Sequence, residues 1–321
     1  MMKSRGHHVV LYAGEFNDAP CQERVVCVSE AERVAMVGDK HYTEVPWDHP
    51  FWRTFNLRVR LSLAEKLEPH DFICVIGGTA HEPVASWFPN HIVVEFGVGY
   101  AGTFSKFRVI ESYAWLHVLH GVQSKNVMVD QSHFFDAVIP NQVDERMYAP
   151  VVPDKGYFMY LGRFVNSKGF AIAQQACEIA KVPLVLAGPG GPPDGSYGEY
   201  VGELEPEKRT ALLAGARALF APTLYTEPFG TVAIEAMACG TPVISTDWGA
   251  FTETVIDNVT GFRCRMLGEF VNAVRNVDKL DRTAIQKYAL ERYGMRTVAR
   301  QYEYYFERLL TLWGQGWNTI T

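Results

Sequence analysis

The feature that most constrains this chain is a set of short apolar runs that do not alternate. They lie at residues 9–12, 72–76, 92–96, 126–129, 137–139, 158–161, 184–187, 218–221 and 242–245. A strand with one wet face alternates apolar and polar side chains. A continuous run is what a strand buried on both faces requires, and parallel sheets bury both faces. Helix-period segments stand between many of these runs, at 53–67, 105–119, 170–180, 205–215 and 231–239, and a long helical tail covers 267–312. This alternation predicts an α/β fold with doubly wound, Rossmann-like parallel sheets. Ligands of such sheets bind beyond the carboxyl ends of the strands, so functional residues are expected in the loops that follow them.

A length of 321 residues suits two domains. Pro, Asp and Gly cluster in APVVPDKG at 149–156 and mark a boundary, dividing the chain into 1–150, 151–298 and a final helical segment, 299–321. Hydrophobic residues at 48% and charged residues at 21% supply two cores and exclude a disordered, collagen-like or coiled-coil protein. A formal net charge of −6 argues against a broadly basic nucleic-acid surface, so no nucleic-acid partner is expected. A phosphate ligand would be held by a few local cations and backbone N–H groups. The cysteines Cys21, Cys27, Cys74, Cys177, Cys239 and Cys264 form no CxxC pair and read as reduced thiols of a cytoplasmic protein. No apolar run reaches the ~18 residues of a membrane span, and the opening MMKSRGHHVVLY lacks the apolar core of a secretory signal.

The most informative string is EPFGTVAIEAMACGTPVISTDWGAF, from Glu227. A strand ending at Ala221 is followed by a loop, and Gly230 opens a helix that Gly240 and Pro242 stop. The free N–H groups of a first helical turn favour negative charge, and a glycine there lets a ligand approach. Glu227 stands just before those donors and Glu235 eight residues later. A carboxylate accepts from vicinal hydroxyls, so the arrangement suits a ligand both phosphorylated and hydroxylated. The plainer alternative is that Glu227 caps the helix and Glu235 is a solvated surface residue. In LGRFVNSKGF, Gly162 lets the chain turn out of a strand, and Arg163 and Lys168 are two cations placed to neutralise a diphosphate, or else solvated charges of an ordinary loop.

The spacing Glu–seven residues–Glu within EPFGTVAIEAMACGTPVI resembles the donor-sugar motif of retaining family-4-type glycosyltransferases of the GT-B fold, in which two Rossmann-like domains face each other across a cleft. The resemblance implies that Glu227 contacts the donor sugar, that the backbone N–H groups of Phe229, Gly230 and Thr231 approach sugar and diphosphate, and that Glu235 binds the ribose. It implies that Gly162, Arg163 and Lys168 serve the diphosphate leaving group, with no metal or other cofactor. It also implies that the strand end at Gly188, in LVLAGPGG, and the segment from Val201 to Glu203 hold the nucleotide and its base. PNQVDERMYAP resembles the family's domain junction, with Gln142 where a glycine is usual and Tyr148 in the aromatic place. The helix near the C-terminus is then expected to pack back on the N-terminal domain. The partners implied are a nucleotide-diphosphate sugar and a hydroxyl acceptor (glycan, lipid or small molecule), with peripheral membrane contact as a further option.

RGHHVVLYAGE resembles the family's second strand, so the chain reads as lacking the family's opening strand–helix unit. The alternative function is accordingly a nucleotide-sugar-binding protein of weak or no transferase activity. Where the family usually has a histidine, Glu95, Phe96 and Gly97 stand; His81 and His133 are the candidates for its place. Gly97, Gly99 and Gly102 form a GxGxxG after an apolar run, but Asp130 follows 28 residues after Gly102, against the ~20 of a dinucleotide site. The segment reads instead as a glycine-rich wall of the cleft, with Gly97 and Tyr100 facing substrate and Glu95 and Arg108 in reach of it, while Tyr113 and Trp115 read as core. No Asp-x-Asp metal motif and no Gly-x-Ser-x-Gly elbow occurs.

Overall fold

The computed structural model describes residues 1–40, 44–124 and 134–312. The expected strand at 126–129, Asp130, His133 and the last nine positions, 313–321, lie outside the described residues. The chain forms two compact units: Met1–Ile110 with Lys125–Ala137 and Ala299–Thr321, and Glu111–Ser124 with Val138–Val298. This division departs from a boundary at 150 in two places. Residues 111–124 and 138–150 belong to the second unit, where Ser112 Oγ donates to the Pro228 carbonyl over 2.6 Å and the Val143 N–H donates to the Tyr293 carbonyl.

In the first unit, β1 (Val10–Gly14) and β2 (Glu23–Val28) pair in parallel. The helices α1 (Glu30–Val37) and α2 (Pro50–Lys66) follow. Next come β3 (Ile73–Val75), the short α3 (Glu82–Ala85), β4 (Val93–Val98) and β5 (Phe107–Ile110), with β3, β4 and β5 parallel. The sheet order is β3-β4-β5-β6, β6 being Ala137–Val138. The helix expected over 105–119 is corrected: β5 comes first, and α4 (Tyr113–Gln123) begins only after Ser112, whose hydroxyl caps the Trp115 N–H. The physical reason is burial. All four residues of FRVI are buried, and Arg108 is accommodated because Asp136 pairs with it, so a charge interrupts a run that is otherwise a strand. Tyr113, read as core, is exposed.

The second unit is a parallel sheet of six strands in the order β12-β11-β10-β7-β8-β9. In chain order these strands and the helices between and after them are β7 (Tyr157–Leu161), α5 (Phe170–Ala180), β8 (Leu184–Ala187), β9 (Glu199–Tyr200), α6 (Pro206–Gly215), β10 (Ala216–Ala221), α7 (Thr231–Ala238), β11 (Val243–Thr246), α8 (Phe251–Thr254), β12 (Gly261–Cys264), α9 (Leu267–Asn276) and α10 (Arg282–Tyr293), and only the first residues of α11 (Met295–Leu310) belong to this unit. The period of two along a strand divides its side chains between the two faces. Met159, Leu219 and Val243 pack with Ala233, Ile234 and Met237 of α7 and Ile285 and Ala289 of α10. Phe158, Phe220 and Ile244 pack with Ala173 and Cys177 of α5 and Phe270 and Val274 of α9. Each of the larger strand side chains among them contributes about 1.5–3 kcal/mol when fully buried, which is why these runs are apolar throughout.

The long helical tail is three helices, broken at the turn Val277–Lys279, before the Asp281 cap of α10, and at Gly294. From Ala299 onward α11 belongs to the first unit. There Phe306 lies 4.8 Å from Phe72, Tyr302 lies 6.3 Å from Phe96, and the Tyr305 hydroxyl donates to the Phe135 carbonyl over 2.9 Å.

Candidate functional site

The strand order places the topological switch of the second unit between β7 and β10, because β8 lies to one side of β7 and β10 to the other. The crevice beyond the carboxyl ends of strands at a switch point is where open α/β sheets bind ligands. A cavity of about 440 Å³ lies there, lined by Gly162, Arg163 and Lys168 after β7, by Thr223 and Glu227 after β10, and by Gly230, Thr231, Val232 and Glu235 at the start of α7. Arg209 of α6 and Pro189 after β8 complete its polar and backbone wall.

Local geometry explains why these loops meet. Gly188 has φ +128°, and a Cβ there would stand 2.2 Å from the Gly162 carbonyl oxygen, so only glycine lets the loop after β8 lie against the loop after β7. Gly230 precedes α7 at φ +79°, where a Cβ would meet Phe251 at 2.6 Å. Among the described residues no side chain caps α7, so none of them puts a carboxylate or hydroxyl on its first-turn N–H groups. Glu227 therefore does not cap the helix. Its Oε2 accepts instead from Lys168 Nζ at 2.8 Å and from the Thr223 hydroxyl at 3.2 Å. Burial lowers the Lys168 pKa, but the Glu227 carboxylate and Tyr225 outweigh it, and the ammonium stands above its ordinary value. Its Nζ also lies 4.9 Å over the Tyr225 ring.

Glu235 is not a solvated surface residue either. Its side chain is mostly buried and pairs with Arg209 at 3.1 Å. Burial raises the Glu235 pKa, and Arg209 acts against that rise. Arg163 is exposed at the cavity mouth, while its own carbonyl accepts from the Tyr160 hydroxyl at 2.8 Å. Cations, carboxylates and an uncapped helix N-terminus thus converge on one cavity, a combination able to bind a group that carries both negative charge and hydroxyls.

Other expected site residues stand elsewhere. Phe229, expected to offer its backbone N–H, sends its side chain into the core, edge-on against Tyr293 at 5.9 Å. Val201 donates its N–H to the Leu186 carbonyl, continuing the sheet, and Glu203 is exposed; neither lines the cavity. In the first unit, Gly97 lies within β4 at φ +60°, and the chain passes from there to another strand. No helix N-terminus follows it, so GVGYAG has no phosphate-binding context. Tyr100 accepts through its hydroxyl from the Gly77 N–H at 3.4 Å. Glu95 and Arg108, expected within reach of substrate, are buried and spent on the fold. Glu95 accepts the N–H groups of Phe104 and Ser105, and Arg108 binds Asp136 and Thr103. His81 packs against Trp52 and Phe55 and meets Asn56 Oδ1 at 2.7 Å.

Arg209 and Thr223 line the cavity without having been singled out in the sequence. Glu111, also not singled out in the sequence, does not line the cavity but stands within electrostatic reach of Glu227, and it receives the Asn141 amide at 2.7 Å. Burial raises its pKa, Asn141 opposes this, and the nearby Glu227 carboxylate adds to it. Thr223, four residues before Glu227 in the same loop, was the only one of these with a local signal.

Comparison with known proteins follows the same ground. Residues 155–278 match the family model described as Glycosyl transferases group 1. Over this stretch the chain is similar to the group 1 glycosyl transferases. A glycogen synthase of Mycobacterium tuberculosis is 42% identical over 80 residues, 24% of this chain and 19% of the relative. A D-inositol 3-phosphate glycosyltransferase of Mycobacterium marinum is 35% identical over 127 residues, 34% of this chain and 27% of the relative. The matches thus span from just under a fifth to just over a quarter of those relatives' length.

The fold of the chain is that of GT-B glycosyltransferases. Sucrose-phosphate synthase of Thermosynechococcus elongatus superposes with a TM-score of 0.70 at 19% identity, over 97% of this chain and 91% of that one. AviGT4, a glycosyltransferase involved in avilamycin A biosynthesis, gives 0.69 at 22% identity, over 97% and 87%. HepE of Anabaena, solved in complex with UDP-glucose, gives 0.62 at 17% identity, over 82% and 84%. Among the described residues no helix is long and apolar enough to cross a membrane, and no group of three or more His, Cys, Asp or Glu side chains could hold a metal ion.

Proposed function

We propose that this protein is a retaining glycosyltransferase that moves a hexosyl group from a nucleoside-diphosphate sugar to a hydroxyl acceptor without a metal. The observation that carries this reading is the cavity at the β7–β10 switch, where Arg163, Lys168 and the uncapped start of α7 stand beside Glu227 and Glu235. That HepE was solved with UDP-glucose and with UDP supports a nucleotide-sugar donor here. Retention is carried over from the resemblance of the Glu227–Glu235 string.

In this reading the protein does little covalent chemistry. As the bond from the sugar to the diphosphate breaks, negative charge grows on the leaving oxygen. Arg163, Lys168 and the α7 N–H groups are fixed donors that stabilise it without reorganisation. Glu227 orients the sugar hydroxyls, with Lys168 and Thr223 holding its carboxylate in place. Glu235 takes the ribose. The acceptor proton goes to the leaving phosphate oxygen, so no separate base is assigned. The free thiols of all six cysteines suit a reducing compartment, and we place the reaction in the cytoplasm.

The test is a thermal-shift panel of UDP, GDP, ADP and dTDP and their sugars, followed by measurement of nucleoside diphosphate release. At least one nucleotide should raise Tm, because a ligand that binds only the folded state stabilises it. Absence of any shift overturns the reading. A shift without release, with a range of hydroxyl acceptors present, replaces the enzyme by a nucleotide-sugar-binding protein.

A further inference from the structure

The Arg209–Glu235 pair is not explained by the motif that contains Glu235. Arg209 belongs to α6 and Glu235 to α7, so packing of one helix beside the other brings them to 3.1 Å. Both line the cavity, across which Lys168 is already engaged by Glu227 and Arg163 stands at the mouth. The arginine reaches Oε1 of Glu235. A carboxylate has two oxygens and about four acceptor positions, so one cation on Oε1 fixes the carboxylate and leaves capacity for hydroxyls. Tyr148, packed against the apolar core, stands within electrostatic reach of both side chains.

We propose that Arg209 is a positioning residue, which holds the Glu235 carboxylate aimed into the cavity so that it reads the 2′,3′-diol of a nucleoside diphosphate. The proposal rests on the donor-site reading above and adds to it a residue that selects ribonucleotides over 2′-deoxyribonucleotides. The physical basis is asymmetry of loss. A carboxylate already fixed in place gains two hydroxyl hydrogen bonds at little entropic cost, whereas a freely rotating one must be ordered each time a ligand binds. Arg209 also favours the ionised form that accepts from both hydroxyls.

The experiment is calorimetric titration of the full chain with UDP, GDP and ADP and with their 2′-deoxy counterparts. The proteins are wild type, Arg209→Ala, Arg209→Gln, Arg209→Lys, Glu235→Gln and the double variant Arg209→Ala/Glu235→Gln. Wild type should prefer the ribonucleotide, and Arg209→Ala should lose roughly tenfold of that preference, the worth of one charge-assisted hydrogen bond. Arg209→Lys should recover part of it. The double variant should be no less selective than Glu235→Gln alone, because the arginine acts through the carboxylate. Arg209→Gln keeps much of the aliphatic stem and serves if the alanine variant does not fold.

Ribonucleotide preference retained in both Arg209→Ala and Arg209→Gln overturns the proposal and leaves the donor site standing. So does equal affinity of wild type for ribo- and deoxyribonucleotides. Failure of wild type to bind any nucleoside diphosphate overturns the donor-site reading itself, and the role of Arg209 with it.

Discussion

Lys168 Nζ donates to Glu227 Oε2 across 2.8 Å, so the cation proposed for the diphosphate and the carboxylate proposed for the sugar neutralise each other at one wall of the cavity. The side chains come from loops 59 residues apart, and each is the other's main partner. Lys168→Ala should lower nucleoside diphosphate release at least a hundredfold, the order found when one preorganised donor to a developing oxyanion is removed. Tm should change little, because the loop keeps its backbone bonds. Release at the wild-type rate would sink the assignment of Lys168.

Gly230 offers a test of the loop that presents α7. Its φ of +79° disfavours a side chain, and a Cβ would also strike Phe251 at 2.6 Å. Gly202 has the similar φ of +81° but open space around it. Gly202→Ala should cost only the backbone strain, about 1 kcal/mol. Gly230→Ala should cost more by urea unfolding and should also weaken nucleotide binding. Equal losses from the two would mean that the Phe251 contact is without consequence.

The first unit is pinned by Arg108 and Asp136, paired at 2.5 Å with side chains 1% and 3% exposed. Removing one partner strands the other charge in the interior. Asp136→Ala should therefore destabilise the protein by about 3–5 kcal/mol, measured by urea unfolding. The double replacement Arg108→Met/Asp136→Leu should recover much of that loss. A single variant within 1 kcal/mol of wild type would contradict this.

His81 gives a pH dependence of defined sign. Burial against Trp52 and Phe55 lowers its pKa to about 4, against an ordinary value of 6.5. The unfolded chain thus binds a proton that the folded chain refuses. Above pH 6.5 both states are neutral at this site and nothing changes. As pH falls from 6.5 toward 4 the unfolded state gains, and stability declines by up to about 3 kcal/mol. Replacing His81 by Phe should flatten this part of the urea-midpoint profile. An unchanged slope would show that His81 is not its source.

The residue pattern identified the second unit well because each of its strands is buried on both faces. Phe158, Met159, Leu219, Phe220, Val243 and Ile244 are all fully buried, and a run of that kind is visible in one dimension. The same rule failed at 105–119. Arg108 breaks the apolar run, and nothing local reveals that its partner lies 28 residues away. Short edge strands such as β9 and β12 escaped for a related reason. They gain their place from a neighbour, Val243 against Gly261 or Val185 against Glu199, and carry little pattern of their own.

By itself, then, the order of residues determined the α/β class, the strand-end loops and the string that carries Glu227 and Glu235, since burial periodicity and turn chemistry are local. Tertiary structure alone decided which polar groups meet. It gave Glu227 to Lys168 rather than to the helix end, Glu235 to Arg209, and turned Glu95 and Arg108 inward. An ion pair is a relation between side chains that the sheet order and helix packing bring together, and its short range leaves no mark on the spacing of either residue along the chain.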